Sequence, residues 1–143
     1  MKIALLLPVV AGAAIAVQTV LNSLGMRSLG LGGLIGFSGL VTSLLGFTSA
    51  AAFLSRPELS GRALLCALGS GFIGAFVLAA IVLSARATGL GQTLSVLIAS
   101  QLLVGLLVDR AGLFGASVAQ DLSAAKVLGA ALIVVGGVLV VRF

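Results

Sequence analysis

The sequence has no histidine, tryptophan or tyrosine, a single cysteine, two prolines, and only three acidic residues, Glu58, Asp109 and Asp121, in 143 positions. Without histidine, and with acids only in connectors or at the ends of apolar runs, neither a metal cluster nor an acid/base pair can be assembled. The lone Cys66 forms no intrachain disulfide. Lying inside an apolar run with no base nearby, it reads as a small buried hydrophobe and not as a nucleophile. The chain is therefore expected to be no enzyme and to carry no cofactor. Charge is scarce as well: charged residues make up 8%, against about 25% in soluble domains. Hydrophobic residues reach 61%, and the mean hydropathy is +1.37. A chain of this composition is built for lipid.

Five apolar runs follow one another over 3–24, 33–54, 63–85, 90–108 and 124–141. At about 1.5 Å per residue each spans roughly 27 to 35 Å, close to the ~30 Å hydrocarbon core of a bilayer. Short alternating strands are missing, so backbone polarity has to be satisfied within helices. The expectation is an all-α integral membrane protein, a single domain over 1–143 with five transmembrane helices. The opening IALLLPVVAGAAIA after Lys2 resembles a secretory leader, but the run continues through Gln18 to Leu24, beyond a leader's usual apolar core. It is read as the first helix. Pro8 lies near its start, where a missing amide donor costs least.

The connectors hold the charge: Arg27 in GMRSLGL, Arg56, Glu58 and Arg62 in SRPELSGR, Arg86 in ARATGLG, and Arg110, Asp121 and Lys126 in RAGLFGASVAQDLSAAK. The net charge of +5 is thus scattered over helix ends and forms no nucleic-acid patch. Asp109 beside Arg110 reads as a membrane-interface marker. On five helices, Lys2, Arg56, Arg62, Arg110 and Lys126 face one side and Arg27, Arg86 and Arg142 the other. So small a bias in positive charge is the mark of a chain inserting in both orientations, or pairing with an inverted sibling.

Uncharged polar residues inside the runs carry the remaining information, because an unpaired amide in hydrocarbon costs several kcal/mol. Ala11, Ala14, Gln18, Asn22 and Gly25 recur at steps of three and four and share one helical face. Gln18 and Asn22 either line a cavity or bond to neighbouring helices. Gln101 lies halfway along the fourth run with Gly105 one turn on, which places an amide beside a gap near the membrane midplane. Ser100 and Thr93 occupy another face and read as interhelical bonds, whereas Gln92 lies close to the membrane boundary and reads as hydrated. Small-residue stripes (Gly32 and Gly36; Ser38, Thr42, Gly46 and Ser49; Ala67, Gly71, Ala75 and Ala79) suit close helix contact, within the chain or in an oligomer.

The succession PVVAGAAIAVQTVLNSLG, GGLIGFSGLVTSLLGF, GLGQTLSVLIASQLLVGLLVDRAGLFG and VLGAALIVVGGVLVV resembles the YdcZ-type inner-membrane exporters of the drug/metabolite transporter (DMT) superfamily, over nearly the whole chain. The last run is also similar to the terminal helix of the small multidrug resistance transporters, whose G-x-x-L-I-x-x-G-V pattern mediates dimer contact. Here it reads Gly129, Leu132, Ile133 and Gly136, with Gly137 where valine is usual. The resemblance implies one half-repeat of a ten-helix DMT-type transporter in the bacterial inner (plasma) membrane. It further implies an antiparallel dimer, with itself or a sibling chain, exporting a small molecule by alternating access. Gln18, Asn22 and Gln101 are then the cavity candidates, and Gly129 and Gly136 the dimer-contact candidates. The membrane-embedded glutamate through which small multidrug resistance transporters couple protons has no counterpart in the first three runs. A noncatalytic membrane scaffold or regulatory subunit is the alternative; a scaffold would show no ligand-linked stabilisation.

Overall fold

The computed structural model describes residues 6–53, 60–112 and 123–143. These form four helices: α1 (Leu6–Ala52), α2 (Gly61–Thr88), α3 (Leu90–Arg110) and α4 (Ala124–Arg142). Each is long and apolar enough to cross a membrane. The architecture is that of an all-α, multi-span membrane protein.

The five-helix expectation, and with it the half-repeat, is overturned. Runs 3–24 and 33–54 fall in one 47-residue element, α1, whose two helical arms meet at a kink at Gly30 with no loop between them. The presumed connector GMRSLGL contains no proline, and Met26, Arg27 and Leu29 are good helix formers, so the segment has no reason to unwind over its whole length. Gly30 alone departs, at φ 66° and ψ 173°, a conformation open almost only to glycine. The bend it makes is sharp. A Cβ on Gly25 would lie 3.3 Å from Leu34 Cδ1, whereas in an unbroken helix residues nine apart are separated by about 13.5 Å along the axis. Leu34 is buried by this fold-back. Arg27 lies within α1, three residues before the kink at Gly30. Residues 3–5 and 54, at the edges of the expected runs, and Lys2, Arg56, Glu58 and Asp121 lie outside the described residues.

The other helices run slightly past their expected ends. Ser60 caps α2: its Oγ accepts from Ala63 N at 3.2 Å and its carbonyl from Leu64 N at 3.0 Å. Ser123 caps α4 by accepting from Lys126 N. Such caps satisfy amides that have no partner in the first turn. Arg86, Arg110 and Arg142 occupy the last turns of α2, α3 and α4, where a cation complements the helix dipole and reaches the lipid headgroups. Between α2 and α3 the chain turns on Gly89 at φ 95°. Four residues on, Thr93 Oγ1 donates to the Gly89 carbonyl at 2.9 Å and lies 3.3 Å from Thr88 Oγ1.

The chain divides into two compact units, Met1–Arg86 and Ala87–Phe143. In the second, α3 and α4 pack against each other as an antiparallel pair. Gln92, at the start of α3, donates from Nε2 to the Val141 carbonyl near the end of α4 at 3.3 Å, and Ser95 lies opposite Gly137. In the first unit, the hydroxyls of α1 bond backward along their own helix. Thr42 donates to Ser38 O, Ser43 to Gly39 O, Thr48 to Leu44 O and Ser49 to Gly46 O, all at 2.8 to 2.9 Å. These four hydroxyls need no partner helix to satisfy their polarity.

Candidate functional site

The first unit contains a cavity of about 170 Å³ between α1 and α2. From α1 it is lined by Ile15, Gln18, Thr19 and Asn22, and from α2 by Gly74, Val77, Leu78 and Ile81. Both sets follow helical spacing, so each helix contributes one face. Gln18 and Asn22, one turn apart, share this cavity. Gln18 is exposed and Asn22 half-buried. Neither side-chain amide hydrogen-bonds to any other described residue. Thr19, between them in sequence, is buried to 3% exposure, and its Oγ1 donates to the Ile15 carbonyl at 2.8 Å. The lining thus presents two unengaged amides against branched aliphatic walls.

Two lining residues escape a reading of the sequence. Thr19 looks like one more polar residue of a helix, and only its burial marks it. Gly74 belongs to a face of α2 offset from the Ala67, Gly71, Ala75 and Ala79 stripe, and it is the 74, 77, 78 and 81 face that meets the cavity. A Cβ on Gly71 or Gly74 would meet nothing within 4 Å. Small-residue spacing alone does not tell which face of α2 is used. Cys66, expected to be buried, is exposed near the start of α2.

The remaining candidates lie in the second unit. Gln101 is exposed on α3. Beside it, Gly105 leaves open space where a side chain would begin. A separate groove of about 570 Å³ runs between α3 and α4, lined by Val96, Ala99, Ser100 and Leu103 on one side and by Val134, Gly137, Val138, Val141 and Arg142 on the other. Gln101 is not among its lining residues. Ser100 donates to its own helix at Leu97 O, 2.9 Å, whereas Thr93 donates to Gly89 O and also lies 3.3 Å from Thr88 Oγ1 at the end of α2. Gln92, read as hydrated, also ties α3 to α4 through an exposed hydrogen bond. Gly129 and Gly136 are half-buried, with no atom within 4 Å of where a Cβ would stand. The close approach between α3 and α4 occurs at Gly137, the position where the dimer-helix pattern has valine.

Among the described residues, no group of three or more His, Cys, Asp or Glu is placed to hold a metal ion. The family model described as "Putative inner membrane exporter, YdcZ" matches residues 3–139. The chain belongs to the YdcZ family. The match takes in Gln18, Asn22, Gln101, Gly129 and Gly136 together. No curated protein and no solved structure matches the chain. As a YdcZ-family chain with four apolar helices, it is a multi-pass membrane protein of transport, and those helices contact lipid.

Proposed function

We propose that this YdcZ-family chain exports a small molecule across the bacterial inner membrane, and that Gln18 and Asn22 bind the solute in the cavity between α1 and α2. The observation that carries the reading is the pair of amides: two side chains, one turn apart on a spanning helix, face one cavity and engage no other described residue. Interhelical glue would spend those donors and acceptors on neighbouring helices. Left unengaged, they are available to a solute. Gln101, exposed on α3 beside the gap at Gly105, contributes a third amide in the working assembly.

That assembly is an antiparallel, inverted-topology dimer, homodimeric or formed with a sibling chain, working by alternating access. The open notches at Gly129 and Gly136 support it, since a partner helix can approach there without meeting a side chain. The experiment is solute transport by reconstituted protein carrying Gln18→Leu, Asn22→Leu or Gln101→Leu. Each should abolish transport while the dimer still assembles. As an independent check, Gln18→Cys, in a Cys66→Ser background, should react with a small polar thiol reagent. Normal transport in all three leucine variants, with an unreactive cysteine at position 18, would return these residues to a packing role.

A further inference from the structure

We propose that the cavity between α1 and α2 selects small, uncharged solutes bearing both hydrogen-bond donors and acceptors, hydroxyl or amide compounds, and rejects anions and cations of the same size. This inference rests on the reading of Gln18 and Asn22 as the solute site. It is carried by what lines the cavity and by what does not.

No charged side chain lines it. Arg27, the nearest cation further along α1, is exposed and is not part of the wall. An ion entering such a site gives up hydration and meets no counter-charge, a loss that aliphatic walls cannot offset. Gln18 and Asn22 each present a carbonyl acceptor and an amide donor pair, so the site answers a solute with both capacities. An aldehyde or ether would leave the amide protons paired but the carbonyls unmet. Thr19 spends its proton on the Ile15 carbonyl and keeps only acceptor capacity, which leaves the two amides as the groups with both donors and acceptors. Val77, Leu78 and Ile81 opposite them suit the carbon skeleton of the solute.

Size narrows the class further. The cavity, about 170 Å³, is small. That suits a three- or four-carbon polyol or hydroxy-amide. No aromatic side chain lines the wall, so ring stacking and cation–π capture are not on offer there.

The test uses two neutral probes, glycerol and lactamide, and their charged counterparts of matched shape: lactate, and serinol in its protonated form. Thermal unfolding of the purified full chain in detergent, at matched ionic strength, reports ligand-linked stabilisation. Saturable stabilisation by a neutral probe is expected, with the charged counterparts weaker by about a hundredfold or more. Gln18→Leu and Asn22→Leu should remove it. Gly74→Leu supplies a second handle should those fold poorly, because its side chain grows into the cavity from α2 without meeting an atom at its base. Saturable binding of lactate or serinol that these variants remove overturns the neutral class while leaving the cavity as the solute site. Stabilisation by a neutral probe that persists in all variants overturns both. Failure of both neutral probes to saturate overturns the proposed class.

Discussion

Gly137 of α4 faces the backbone of Ser95 on α3: a Cβ at Gly137 would lie 3.4 Å from the Ser95 carbonyl oxygen and 3.8 Å from its carbonyl carbon. That is ordinary van der Waals distance, so a methyl group fits and anything larger drives into the opposite main chain. Gly137→Ala is expected to leave stability nearly unchanged. Gly137→Leu should destabilise the helix pair by about 1–3 kcal/mol, the usual cost of overpacking, and should weaken the Gln92 to Val141 bond one turn away. Thermal unfolding in detergent distinguishes the two variants.

Gly136, next in sequence, behaves oppositely. Its Cβ position is open, so Gly136→Leu should leave the unfolding midpoint of the chain close to wild type while lowering crosslinked dimer yield in membranes. Gly129→Leu should act in the same way, since the two glycines, seven apart, lie on one helical face. Undiminished crosslinking in both variants would move the dimer contact off α4.

Gly30 holds the bend in α1 at φ 66° and ψ 173°, which a Cβ penalises by about 1–3 kcal/mol. Gly30→Ala should therefore destabilise the chain by that amount although no atom lies within 4 Å of the added methyl. Gly32→Ala, in open space at an ordinary helical position, is the matched control and should be neutral or mildly stabilising. The pair separates backbone strain from packing, because only the first has the strain.

The membrane class is legible from composition alone, since so little charge and so much aliphatic surface have no soluble solution. That Gln18 and Asn22 share a face is legible from their one-turn spacing. The join of the first two apolar runs is not. Hydropathy falls in GMRSLGL because of one arginine and one serine, but helix formation does not require hydropathy, and a single glycine suffices for the bend. The α3–α4 contact at Gly137 is equally hidden. Gly129, Gly136 and Gly137 are chemically identical in the sequence, and only the register set by Gln92 against Val141 and Ser95 against Gly137 tells which one meets a neighbour. Thr19 and Ser100 are ambiguous for a related reason: a hydroxyl in a helix serves its own turn as readily as a distant partner.

The hydroxyls of α1 that donate to their own carbonyls carry a consequence for biosynthesis. Thr42, Ser43, Thr48 and Ser49 enter hydrocarbon with their protons already engaged, so this arm of α1 can leave the insertion machinery for lipid before α2, α3 or α4 has been translated. Gln18 and Asn22 have no such local acceptor among the described residues, and they make the opposite arm the one that gains most from water, solute or a late-arriving neighbour.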